Sequence, residues 1–202
     1  VKGGGRVGHL PTRRGAPWTG RTRPATVSHT LPRTPPHMGK MLVFPLLLAV
    51  ATLAAGTFGT LHNQISYSVG PTYFTEFKFI QFNVSENIPP RVGAAYVGVM
   101  ASWWMGPLIG LPAFIYGLFA VPSTFRYLTA GLRSILIVIV LASIGAALGL
   151  ITGIIADTTG FMDDLLRLPE RPDRSDFLRA GFMHDASYLA GAVGLFAAFI
   201  PT

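Results

Sequence analysis

The sequence has 202 residues, of which 50% are hydrophobic and 12% are charged, whereas about a quarter of the residues of an ordinary soluble domain are charged. This composition indicates a membrane protein. The absence of cysteine excludes disulfides, thiolate metal ligands, iron–sulfur clusters and cysteine nucleophiles. The formal net charge of +7 comes from the first 40 residues, which hold half of the Lys and Arg residues and no Asp or Glu.

Residues 1–40 form a tail rich in Pro, Gly and Arg. Its few apolar side chains cannot form a core, so we predict an extended basic segment that is ordered by contact with a partner protein. The alternative is that translation begins at Met38 or Met41 and that the tail is not native. The arginines predicted to bind the partner are Arg6, Arg13, Arg14, Arg21, Arg23 and Arg33.

Four apolar runs follow, each long enough for the roughly 20 residues that a helix needs to cross a bilayer. We therefore predict an all-α integral membrane protein with about four transmembrane helices. The predicted spans are residues 41–61, 92–121, 134–156 and 181–202. They are joined by an aromatic-rich external connection (62–91), a short cytoplasmic connection (122–133) and a charged external connection (157–180).

The second span contains Pro107 and Pro112, which interrupt the hydrogen bonding of a helix. We expect this span to be kinked or broken near Gly106 and Pro107. The break would bring Trp103 and Trp104 towards an interface or a partner, and the alternative is that both face lipid.

The third span carries glycines at intervals of four residues, which place them on one face of a helix. Such a bare face lets another helix approach closely. The fourth span adds two small packing positions, and the partner helix is either internal or belongs to another subunit. The predicted helix-packing residues are Gly145, Gly149, Gly153, Gly191 and Gly194.

The first connection has too many aromatic residues for a simple loop, and aromatics are typical of the membrane interface or of a protein contact. Neither the period of a strand nor that of a helix describes it, so its secondary structure stays open. The aromatic residues concerned are Tyr67, Tyr73, Phe74, Phe77, Phe79 and Phe82.

Four polar residues share the external face in the predicted topology: His62, Glu76, His184 and Asp185. Two imidazoles and two carboxylates are a donor set for zinc or iron. Their spacing matches no metal template, and the ordinary alternative is an interfacial histidine bonded to water or a carbonyl. Asp185 would then act as a charge at the N-terminus of the fourth helix.

The interiors of the predicted spans lack Asp, Glu, Lys, Arg and His, which proton and ion pathways through a bilayer need. The sequence also has no phosphate loop, zincin motif or nucleophile elbow. We therefore predict that the chain is not an enzyme and has no cofactor of its own. A small facilitative pore or transporter, lined by Ser, Thr and carbonyl groups, is the alternative.

The predicted function is that of a non-catalytic accessory subunit of a larger membrane complex, whose spans pack against partner helices and whose tail ties neighbours together. The expected partners are other membrane protein subunits and lipid. Nucleic acid is not expected, because the basic residues of the tail are dispersed and lie next to a membrane.

The positive-inside rule places the tail and the connection carrying Arg126 and Arg133 in the cytoplasm. Both termini are then cytoplasmic, and the expected location is the bacterial inner (cytoplasmic) membrane. Without the tail this orientation weakens or reverses.

Three segments, YFTEFKFIQF (73–82), ASWWMG (101–106) and HDASY (184–188), resemble a family of uncharacterised bacterial multi-pass membrane proteins. The resemblance covers about residues 41–200 and excludes the tail, which is longer than the N-termini of that family. It implies the topology and a bacterial origin, and no activity.

In overall character the chain is similar to the extra membrane subunits of bacterial photosynthetic reaction-centre and light-harvesting assemblies. This resemblance implies a place among pigment-bearing helices, with bound lipid or a neighbouring pigment. A respiratory or secretion complex is the alternative host.

Overall fold

The structure is a computed structural model that describes residues 1, 3–5, 8, 36–161 and 173–198. The chain divides into two units, residues 1–33 and 34–202, and all the described helices belong to the second. The predicted all-α fold is found in this unit, with no strand among the described residues. The six tail arginines named above lie outside the described residues.

Helix α1 spans Pro36–Val69 and is longer than the predicted first span at both ends. At its start, residues 36–40 are helical instead of belonging to the tail. Lys40 is 5% exposed, and its Nζ donates to the carbonyl oxygens of Leu118 (2.8 Å) and Val121 (2.7 Å). At its end, α1 continues past Leu61 because Asn63 and Ser66 find hydrogen-bond partners on neighbouring helices.

Much of the aromatic connection is helical. After α1 ends at Val69 come α2 (Pro71–Tyr73), a π-helical turn (Phe74–Lys78) and α3 (Phe79–Gln81), and residues 82–89 form turns and irregular backbone before the next helix. A π turn holds more residues than an α turn and shifts the faces of the helix on either side of it. This shift explains why neither simple period describes the segment.

The second span is two helices, α4 (Pro90–Ser102) and α5 (Met105–Ala120). The break lies at Trp103 and Trp104, one turn before the predicted position. Pro107 has no N–H to donate to the carbonyl of Trp103, and that carbonyl accepts from Gly106 N at 3.3 Å instead.

Helix α6 spans Thr124–Thr159, beginning where the Ser123 side chain accepts from Arg126 N and ending at Gly160, whose φ of 67° is left-handed. Helix α7 spans Arg174–Ala198. Asp173 Oδ1 accepts from the backbone N of Ser175 at 2.9 Å, which caps the start of α7. Asp185 therefore lies inside α7 rather than at its N-terminus.

The helices form an antiparallel bundle. The α5–α6 turn lies beside the start of α1, since Gly39 approaches Thr124, whereas Gly70 and the start of α7 meet at the opposite end. Among the described residues three segments are long and apolar enough to cross a membrane: Met38–Val69, Pro90–Ala120 and Thr124–Thr159. The chain is thus compatible with a multi-pass membrane protein, and α7 is not among these three segments.

Candidate functional site

Two histidines meet inside the bundle. His62 on α1 and His184 on α7 have ring centroids 4.6 Å apart, with the rings edge to face. The residues are 7% and 5% exposed. His184 Nε2 is hydrogen bonded to Ser66 Oγ at 3.1 Å, whereas His62 Nε2 is buried without a hydrogen-bond partner. The first span was predicted to end at Leu61 and the span interiors to lack histidine, so the position of His62 inside α1 corrects the sequence analysis.

Aromatic side chains enclose the histidine pair. Phe58 stacks on His62, with centroids 5.7 Å apart. Tyr73, the last residue of α2, and Phe74, the first of the π turn, lie with their centroids 5.3 Å and 5.9 Å from that of His184. Both are nearly fully buried, at 3% and 0% exposed. The environment of the imidazoles is therefore apolar and closed.

Lys78 lies at the edge of this enclosure. Its Nζ is 5.5 Å from the Tyr73 ring centroid and 5.0 Å from that of Phe77, and it donates to Gln81 Oε1 at 3.0 Å. Burial lowers the pKa of the Lys78 ammonium, and the charge of Asp185 acts in the opposite direction. Burial, and to a smaller extent Asp185, raises the pKa of the Tyr73 phenol. Tyr73 is thus a neutral hydroxyl at any physiological pH.

The structure brings together two of the four residues considered for a metal site. His62 and His184 are in contact, while Asp185 is exposed and Glu76 is half-buried. Among the described residues no group of three or more His, Asp or Glu side chains is arranged to hold a metal ion. Two neutral imidazoles in an aromatic enclosure would also leave the charge of a divalent ion uncompensated.

The glycine stripe of α6 lies against α7. A Cβ built on Gly145 would be 2.5 Å from Ala190 Cβ, and one on Gly153 would be 2.6 Å from the carbonyl oxygen of Leu178. At Gly149 the added atom would meet the carbonyl oxygen of Phe182. The two backbones therefore touch, and the helix that uses this stripe is internal to the chain.

The two glycines of α7 differ from each other. A Cβ on Gly194 would lie 3.2 Å from the Cα of Val138, so this residue does pack against α6. A Cβ on Gly191 would meet nothing within 4 Å, although the residue is buried. Gly191 borders empty space.

A second close contact between backbones was missed from the sequence. A Cβ on Gly59 would meet the carbonyl oxygen of Gly98, and one on Gly98 would meet that of Gly59, so α1 and α4 cross at these residues. Further along, a Cβ on Gly106 would be 2.5 Å from the carbonyl oxygen of Ala51. No four-residue glycine spacing marks this crossing, because each helix contributes a single glycine to it, Gly59 from α1 and Gly98 from α4.

The charged connection also contains a polar junction that sequence reasoning did not find. Asp157, with 8% of its side chain exposed, forms ion pairs with Arg174 (2.9 Å) and Arg179 (2.7 Å). Nearby, Asp176 Oδ2 accepts from both the backbone N and the hydroxyl of Thr72 at 2.8 Å. These bonds fasten the start of α7 to α6 and α2.

A cavity lies between the middles of the four longest helical segments. Its volume is about 90 Å³, and its lining includes Ala51, Phe58, Gly110, Ala142 and Gly191. Nearly all of the lining surface is apolar. The polar residues on the wall are serines and Tyr188, which lies between the cavity and His184.

No protein-family model, curated protein or solved structure matches this chain. The arrangement of the described residues therefore carries the functional argument.

Proposed function

We propose that the chain is a four-span, non-catalytic structural subunit of a larger membrane complex, held in the bacterial inner membrane with both termini in the cytoplasm. The observation that carries this proposal is the character of the interior. The space between the helices is lined by apolar side chains. Within the part of the chain that the structure describes, the most deeply buried charged side chains, Lys40 and Asp157, are bonded to other residues of the chain.

An interior of this kind does not suit a pore. A solute path needs polar groups that replace the solvation shell, whereas the histidine pair is enclosed by aromatic rings on several sides. The same enclosure separates the imidazoles from any substrate in water. A structural role does not require the two imidazoles to be accessible to a solute or a substrate.

The fourth span is supported by the packing of α7. Gly145, Gly149 and Gly153 of α6 contact α7 in antiparallel order, from Ala190 back to Leu178. Since α6 is long and apolar enough to cross the membrane, a helix that lies along its middle passes through the same layer. The mean hydropathy of α7 is lowered by residues such as His184 and Asp185, which explains its absence from the apolar segments.

Other subunits would contact the outer faces, because the glycine stripe is already used inside the chain. Trp103 and Trp104 at the α4–α5 break are 45% and 44% exposed. Large exposed aromatics at a helix break are the side chains expected at a contact between proteins. The photosynthetic host expected from the resemblance stays a hypothesis, and so does the tethering role of the tail.

The partner contact is tested by a photoreactive amino acid placed at position 104 in cells. Illumination should join the chain to one discrete protein. The matched control is position 127, because Tyr127 is 1% exposed and should give no product. Attachment of lipid alone at position 104 would argue against a partner on this face.

The number of spans is tested by cysteine labelling, which is clean because the chain has no cysteine. Thr202→Cys and Asn87→Cys should react with a membrane-impermeant maleimide from opposite sides. Labelling of both positions from the same side would show that α7 does not cross.

A further inference from the structure

The cavity between the helices lies at mid-depth in the proposed membrane orientation. Its walls come from the central parts of three apolar segments, at Ala54 of α1, Ile109 of α5 and Ile139 of α6. These three residues are partly exposed, whereas Ala142 and Gly191 on the same cavity wall are buried. The cavity is therefore open at a rim that faces the hydrocarbon layer.

The polar groups on its wall are already engaged. Ser134 Oγ donates to the carbonyl oxygen of Ala130 at 2.9 Å, and Ser187 Oγ donates to that of His184 at 2.8 Å. The side chains of Tyr188 and Ser102 lie close to each other. An occupant consequently finds an apolar surface and little to bond with.

Water does not fill such a space, since an ordered water needs two to four polar partners and apolar cavities stay dry. An empty cavity would forfeit the dispersion contacts of its lining atoms. The volume of about 90 Å³ exceeds the roughly 10–15 Å³ needed for one water and is below the roughly 150 Å³ of a cavity that binds benzene. It accommodates a few methylene groups.

We propose that this cavity is a binding site for the end of one lipid acyl chain. The acyl chain is the apolar group that surrounds the rim at high concentration. Its recognition is by shape, because transfer from lipid into protein gains no hydrophobic free energy and depends on close packing. The end of the acyl chain would occupy the space beside Gly191, where an added Cβ would meet nothing within 4 Å.

Gly191→Leu tests this site by placing a side chain in the cavity from a position where an added Cβ meets nothing within 4 Å. Val193→Leu is the matched control, since Val193 is on the same helix and 54% exposed. The purified proteins are reconstituted in phosphatidylcholine vesicles that carry a diazirine near the end of one acyl chain. The labelled positions are mapped by mass spectrometry after illumination.

Wild type and Val193→Leu should be labelled at Ala142, which is 6% exposed and within reach only of an inserted chain. Gly191→Leu should lose this labelling and keep that at Leu148, which is 58% exposed on the outer surface. Ala54→Phe narrows the rim from the side of α1 and should also abolish labelling at Ala142. This variant replaces Gly191→Leu in the experiment if Gly191→Leu does not fold. The proposal would be overturned if Ala142 were labelled equally in Gly191→Leu and in wild type, or if it were not labelled in wild type.

Discussion

The carbonyl oxygen of Phe182 occupies the position that a side chain on Gly149 would need, so α6 and α7 touch backbone to backbone. Gly149→Leu should therefore separate the two helices and lower the melting temperature in detergent. Overpacked sites lose about 1–3 kcal/mol, and the upper part of this range is expected because a backbone neighbour cannot rotate away.

The control for added volume is Ala147→Leu, on the same helix at an exposed position. It should melt as wild type does. Equal melting temperatures for Gly149→Leu and Ala147→Leu would show that α7 does not lie against the stripe.

The two histidines should respond differently to replacement by phenylalanine, which keeps an aromatic ring in place. His184→Phe leaves Ser66 Oγ without its partner at 3.1 Å in a residue that is 0% exposed. The expected loss is about 1–3 kcal/mol. His62→Phe removes a nitrogen that has no partner, so stability should be unchanged or higher.

Thermal unfolding of both variants and of the double variant Ser66→Ala/His184→Phe measures this difference. The double variant should recover part of the loss, because the unpaired hydroxyl is gone. Equal losses for His62→Phe and His184→Phe would contradict the hydrogen bonding of the pair.

Asp157→Asn should loosen the start of α7. The substitution removes the charge that pairs with Arg174 and Arg179 while keeping the shape of the side chain. A loss of about 1–2 kcal/mol is expected for charge-assisted hydrogen bonds to partly exposed partners. Hydrogen exchange should become faster at residues 174–180, whereas Asp185→Asn, at an exposed position of α7, should leave exchange there unaltered. Equal protection in the two variants would rule out a fastening role for Asp157.

The helices and the glycine face could be predicted from the sequence because apolar length and a four-residue spacing are local properties. The contact between His62 and His184 could not, since it joins positions 122 residues apart and depends on polar side chains of α1 finding partners on other helices. The junction at Asp157 could not be predicted for the same reason. In the sequence, Asp157, Arg174 and Arg179 belong to a segment of mixed charge, which is typical of a solvated surface, and only the fold brings them together.

The tail leads to a prediction about assembly. Deletion of residues 1–33, the first unit, should leave the helices inserted, since they satisfy their backbone hydrogen bonds internally. The shortened protein should dissociate from its complex at a lower salt concentration than wild type. It would have lost the contacts made by the tail, and salt screens the polar contacts that remain. Co-purification across a salt series measures this. Identical behaviour would make the tail incidental, and loss of insertion would instead assign it to topogenesis.

The central claim is that this chain works as a subunit of a larger complex. The most direct test is extraction from its native membrane in a mild detergent, followed by measurement of the mass and composition of the particle that contains it. We expect a particle with other membrane proteins in fixed stoichiometry and no solute flux when the chain alone is placed in liposomes. Recovery of free monomer, together with flux through liposomes, would contradict the structural role and favour a pore.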